Sequence, residues 1–155
     1  LLNSNGNMTM RLQKFEAIFF VNVPIDEAFK IISDHNKITE MFGVFSTRIM
    51  DGSGVSGGSS ARSIFSWTIS FNKKVTGIQE ISYVVSKGSP LKDHLGKIRF
   101  SQKNGITEII CSMRFRSKIP FTGKLLAIIL KKSLEKRTSR ILCELEQQKM
   151  DKIYA

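Results

Sequence analysis

TEIICSMRFRSKIPFTGKLLAIILKKSLEKRTSRILCELEQQKM, residues 107–150, holds the two patterns that decide the fold. Along 107–116, Ile109, Cys111, Met113 and Phe115 alternate with Ile110, Ser112, Arg114 and Arg116, so a strand there has one apolar face and one that turns basic. The apolar face is expected to look inward. Beyond Pro120 the period changes. From about 122 to 150 there is no proline, the last glycine is Gly123, and Leu, Ile, Lys and Glu dominate, which predicts one long helix. At 3.6 residues per turn, Gly123, Leu126, Ala127, Leu130, Leu134, Ile141 and Leu145 share a stripe, while Lys131, Lys132, Glu135 and Glu146 point elsewhere. A stripe of that width docks on a sheet.

Working back toward the start, FEAIFFVNV (15–23) keeps Phe15, Ala17, Phe19, Val21 and Val23 on one parity and reads as a half-buried strand. Pro24 stops it and opens a short amphipathic helix, with Asp26 and Glu27 in the first turn and Ile25, Ala28, Phe29 and Ile32 on one face. Residues 36–41 carry a second short helix ending at Gly43, followed by a strand over 44–50. DGSGVSGGSS (51–60) reads as a hairpin tip, a Gly/Ser loop unable to carry regular structure. At least two strands occupy 61–86, with turn chemistry at both 71–74 and 76–77. After KGSP (87–90) come a strand near 95–102, a turn at 103–105, and the strand of the opening stretch. The class is α+β: antiparallel strands, two short helices after the first, and a long helix at the end.

A chain of 155 residues without internal repeats is read as one domain over 13–150, flanked by a disordered tail or expression remnant at 1–12 and a C-terminal tail at 151–155. Residues 1–9 are polar and Asn-rich and lack the regions of a signal peptide. The 24 Lys+Arg against 13 Asp+Glu give a formal charge of +11, so the surface is basic and favours anionic partners. Cys111 and Cys143 are too few for a disulfide framework, which fits a reducing, cytoplasmic setting. The apolar run 125–130 is far shorter than the roughly 20 residues of a membrane span. No phosphate loop, H-E-x-x-H pattern or Cys/His cluster is present, so neither metal nor cofactor is implied.

The order of elements and its punctuation resemble the SRPBCC superfamily, the START and birch-pollen-allergen-like helix-grip fold, and within it the polyketide cyclase/dehydrase and lipid transport family. The matching residues are VPIDEAFKIISD at 23–34, Asp51-Gly52-Ser53-Gly54 with Arg62 after it, Tyr83 before Gly88-Ser89-Pro90, Gly96, Gly105-Ile106-Thr107, and IPFTG at 119–123. Together they span about 15–148. The resemblance implies a curved antiparallel sheet wrapped round the C-terminal helix, with an apolar cavity between them. One departure is Cys111, where many relatives place a large aromatic. A smaller side chain there either enlarges the cavity or is refilled by neighbours.

Parity and winding put Ile98, Phe100, Ile109, Cys111, Met113, Phe115, Leu126, Leu130 and Leu134 inside, where each taken alone is ordinary core. The implied fold makes these residues, Leu126 apart, candidate cavity walls. Tyr83 joins them as an amphipathic lining residue, as does Trp67 if its parity faces inward. Arg137 winds onto the apolar stripe between Leu130, Leu134 and Ile141. There its guanidinium needs Glu80 or another wall carboxylate, water at the cavity mouth, or an anionic ligand head group. His94, in PLKDHLG, reads as a solvated loop residue rather than an acid/base group, and neither it nor His35 accompanies a nucleophile motif.

Three functions compete. The first is non-enzymatic binding or transport of a small hydrophobic ligand (lipid, quinone or polyketide-like), which needs only the cavity. The second is a polyketide cyclase/dehydratase-type enzyme, favoured by two or more polar groups converging in the pocket. The third is a ribosome- or polyanion-associated module using the basic residues Lys97, Arg99, Arg114, Arg116, Lys118, Lys124, Lys131, Lys132, Lys136 and Arg140. Strand parity gives Lys97 and Arg99 no aromatic neighbours for stacking on bases, and an anionic membrane surface suits the same cations.

Overall fold

The computed structural model describes residues 10–41, 45–51, 56–57, 65–75, 79–87 and 90–155, with only the backbone course given for His35, Thr39, 45–51, 56–57, 65–75 and 85–87. Residues 1–9, Gly43, the loop residues 52–55, Arg62, Gly88, Ser89 and the side chain of Trp67 lie outside the described residues. Strand β1 (Leu12–Val21) leads to helices α1 (Ile25–Ile32) and α2 (His35–Met41). Strands β2 (Phe45–Asp51), β3 (Ser56–Gly57), β4 (Phe65–Val75), β5 (Glu80–Lys87), β6 (Leu91–Lys103) and β7 (Ile106–Ser117) follow, and α3 (Gly123–Tyr154) ends the chain.

The strands form one sheet in the order β1-β7-β6-β5-β4-β2-β3. From β1 through β4 every pairing is antiparallel, as expected. At the far side β2 runs parallel to β4, so the expected antiparallel sheet carries one parallel pair among the described strands. Within 51–60, read as a hairpin tip without regular structure, Ser56 and Gly57 form β3 and pair antiparallel with Met50 and Ile49 on the outer edge of β2.

Two local features set the β6/β7 hairpin. Asn104 and Gly105 both have positive φ (54° and 79°) and join Lys103 to Ile106 in a two-residue turn, the Asn-Gly pairing whose twist matches flanking strands. Farther along, the register shifts between Lys92 and Leu95, so that Asp93 and His94 together oppose the single residue Phe115. Asp93 takes φ 52°, and its carboxylate meets Arg116 Nε at 3.2 Å. The bulge lets Leu91 and His94 both point inward while Lys92 and Asp93 stay in water.

Helix α3 buries Leu126, Leu130, Leu134, Thr138, Ile141, Leu142 and Leu145, lying mainly against β1 and also touching β7 and α2. Near its far end Glu146 Oε1 accepts from the Asn22 N–H (2.8 Å), and Lys149 Nζ donates to the Asn22 carbonyl (2.7 Å). It continues to Tyr154, so residues 151–154 are helix and not the tail expected at 151–155.

The passage from β7 into α3 is held by hydroxyls. The Ile119 N–H donates to Ser117 Oγ (3.1 Å), Ser117 and Thr122 hydroxyls lie 2.6 Å apart, and the Thr122 hydroxyl donates to the Ile119 carbonyl (2.8 Å). Inside this turn Phe121 has φ 64°. Among the described residues no helix is long and apolar enough to cross a membrane.

Candidate functional site: the apolar interior between sheet and helix

Three cross-strand rows make the inner wall. Tyr83, Gly96, Met113 and Phe15 are aligned across β5, β6, β7 and β1; Ile81, Ile98, Cys111 and Ala17 form the next row; Phe100, Ile109 and Phe19 form a third. Phe115 lies beyond the first row, opposite the bulge. Every one of these except Phe15, which is half-buried, is buried. Phe29 of α1 closes one side through an edge-on contact with Phe100 (centroids 5.4 Å apart, planes at 71°), and Leu130 and Leu134 supply the helix side. Tyr83, Ile98, Phe100, Ile109, Cys111, Met113, Phe115, Leu130 and Leu134 are thus all interior, as parity and winding require.

Gly96 has a mechanical role. A Cβ built on it would strike the Tyr83 ring and lie 2.7 Å from the phenol oxygen, so the ring lies flat over the glycine of the neighbouring strand. Such cover over a strand glycine fixes the aromatic plane. Tyr83 also meets His94, with ring centroids 5.6 Å apart and planes tilted by 33°.

His94 therefore corrects the reading of PLKDHLG as a solvated loop: it is 5% exposed and belongs to β6. The signal was available, because the parity that turns Ile98 and Phe100 inward also turns Gly96 and His94 inward once the strand is extended toward its start. What hid it was Asp93, whose side chain tolerates the left-handed backbone of a bulge.

Arg137 corrects a second expectation. The buried line runs Leu126, Leu130, Leu134 and then Thr138, so the apolar stripe drifts past Arg137, which is half-buried on the flank with Nε donating to Ser133 Oγ at 3.2 Å. A threonine fits the closed side, whereas a guanidinium keeps its head in water. Glu80, suggested as its partner, is on the outer face beside Lys97 (3.8 Å). Thr138 escaped the sequence reading, and its buried hydroxyl has no hydrogen-bond partner among the described residues.

The polar groups of this interior are all held neutral. Burial, with Cys111 nearby adding a smaller push, raises the Tyr83 phenol well above its ordinary range. Burial lowers the His94 imidazole from 6.5 to about 4 and pushes the Cys111 thiol up to about 12. At neutral pH the wall offers a phenol, an uncharged imidazole, a thiol and a threonine hydroxyl. These can make hydrogen bonds to an uncharged guest, but they supply neither a fixed charge nor a ready thiolate. Among the described residues no group of three or more His, Cys, Asp or Glu is placed to hold a metal ion.

No protein-family model matches this chain, and no curated protein matches it in sequence. Solved structures do match in shape. A START superfamily protein from Mycobacterium smegmatis aligns over 87% of this chain and 97% of its own, with a TM-score of 0.61 at 10% identity. The Zhui aromatase/cyclase from Streptomyces sp. R1128 aligns over 88% and 90% (TM-score 0.56, 14% identity). The protein XoxI from Bacillus cereus aligns over 86% and 95% (TM-score 0.66, 12% identity). The chain has the START-like helix-grip fold.

Proposed function

We propose that the chain binds a small, uncharged, hydrophobic molecule between the sheet and α3, in the manner of a carrier or receptor and without chemistry on its guest. The observation that carries this reading is the composition of the inner wall: apolar rows interrupted only by neutral hydrogen-bonding groups at Tyr83, His94, Cys111 and Thr138. Pairing Cys111 with Ala17 puts two small side chains side by side on the first two strands of the sheet, and this is where room for a guest is expected. Lipid, quinone and polyketide-like molecules fit that chemistry, and a cytoplasmic setting suits the two free thiols. Arg137 is kept as a rim residue.

Native mass spectrometry of the purified protein, followed by titration with Nile red as a neutral probe and palmitate as an anionic one, tests it. Neutral probe binding is expected, with Tyr83→Phe weakening guests that carry a carbonyl or hydroxyl by up to about tenfold. Arg137→Met should weaken palmitate alone. Absence of any bound guest and of Nile red binding would refute the reading.

A second reading, a cyclase or dehydratase acting on a bound polyketide-like chain, draws on the Tyr83/His94 contact, where two polar rings converge. The lowered basicity of the buried His94 disfavours proton abstraction by it. Turnover of an added polyketide-like chain that is lost in both Tyr83→Phe and His94→Asn would favour the enzyme.

A further inference from the structure

The turn from β7 into α3 carries a surface that the chamber does not use. Phe121 is 92% exposed, and Ile119, Leu125 and Ile128 are exposed at 42%, 59% and 51%. Phe121 also has φ 64°, the third position of the turn 119–122, where glycine is the ordinary occupant. A bulky aromatic there strains the backbone, and with its ring in water it gains nothing from packing inside the chain. The Ser117 and Thr122 hydroxyls, bonded to each other and to the Ile119 backbone, hold it in that pose.

The charges around it are mainly positive. Arg116, Lys118, Lys124, Lys131 and Lys132 fall within 116–132, which contains no Asp or Glu. Arg116 meets Asp93 (3.2 Å) and Lys131 meets Glu135 (3.8 Å), which leaves Lys118, Lys124 and Lys132 outside any ion pair among the described residues. Helical winding places Leu125, Ile128 and Lys132 on the side of α3 opposite the buried Leu126, Leu130 and Leu134, with Lys124 and Lys131 beside them. Apolar tips thus project at the start of the helix, with cations in the same turns and one turn behind.

We propose that residues 118–132 form a docking surface for an anionic lipid bilayer. Phe121, Ile119, Leu125 and Ile128 enter the boundary between head groups and acyl chains, while Lys118, Lys124, Lys131 and Lys132 meet the phosphates. Branched aliphatic side chains stack poorly on bases, so nucleic acid does not explain the apolar part. A protruding ring beside the net positive charge of Lys118, Lys124 and Lys132 also fits a soft anionic surface better than a mixed-charge protein interface. This docking needs no guest in the chamber, and it stands or falls apart from the proposed function.

The test is co-sedimentation of the full chain with vesicles of phosphatidylcholine alone and of phosphatidylcholine with phosphatidylserine at roughly two to one, at low and moderate salt. Binding is expected to the second kind, weakening as salt rises. Phe121→Gly removes the ring and supplies the residue suited to the backbone. It should hold or raise the thermal midpoint, lower vesicle affinity about tenfold, and leave Nile red binding intact. Lys124→Glu with Lys132→Glu should reduce binding to the serine-containing vesicles and barely alter the weak binding to phosphatidylcholine. The proposal is overturned if wild type ignores anionic vesicles, if Phe121→Gly binds them like wild type, or if that variant loses thermal stability, which would make Phe121 structural. It is also overturned if the surface proves to join two copies of the chain, seen as a dimer that Phe121→Gly dissociates, with no vesicle binding.

Discussion

The Tyr83 ring, the bare backbone of Gly96 and the His94 imidazole are one packed unit, and each constrains what the others can be. Gly96→Ala forces the ring off its seat and should cost about 1–3 kcal/mol in chemical denaturation, a large effect for one methyl group. An unchanged midpoint would mean that the ring moves freely. His94 gives the unit a pH signature. Its folded value of about 4 lies below the unfolded 6.5, so between those values the unfolded chain takes up a proton that the folded chain refuses. Stability is intact above pH 6.5, declines toward pH 4, and by then has lost on the order of 3 kcal/mol through this group. Unfolding of wild type and His94→Asn across that range should show a shallower acid decline in the variant, and parallel curves would count against a buried neutral imidazole. Thr138→Val replaces an unpartnered buried hydroxyl with a methyl group and should be neutral or stabilising by up to about 1 kcal/mol in the same assay. Alternation made Met113 and Phe115 legible as interior. His94 was hidden by the bulge, and Tyr83 over Gly96 was legible only as two separate motif residues, because cross-strand pairing is not written in a linear pattern.

At the scale of elements, α3 was the most readable part of the chain, since a period of 3.6 sustained from Leu126 to Leu145 has no competing interpretation. Its middle is also where the domain is most exposed to damage: Leu134 is 2% exposed, and Leu134→Asp would bury a charge without a partner. That variant should lose about 4 kcal/mol or more and fail to show a cooperative thermal transition, and wild-type-like melting would contradict the assigned face. Winding alone left Arg137 on the stripe because an ideal helical wheel is blind to drift of the buried line as it passes along the sheet. The parallel β2/β4 pair was illegible for a different reason. It is flanked by the two-residue β3, made of Ser56 and Gly57, inside a Gly/Ser stretch whose composition favours no particular structure.

For the whole molecule, the division of labour is between a neutral interior and a cationic exterior. The +11 charge bears on partners met at the surface, while the polar groups Tyr83, His94 and Cys111 of the interior are held neutral by burial. Long-range pairing also sets the order in which this architecture can be assembled. β1 is made first and pairs only with β7, with Leu12 opposite Arg116, roughly a hundred residues later in the chain. On the ribosome the apolar side of β1, with Phe15, Phe19 and Val21, must therefore wait for nearly the whole of the sheet to be synthesised before its partner strand exists. While that sheet is being synthesised its first strand stays unmatched, and this makes the nascent chain a natural client for whatever shields newly made chains.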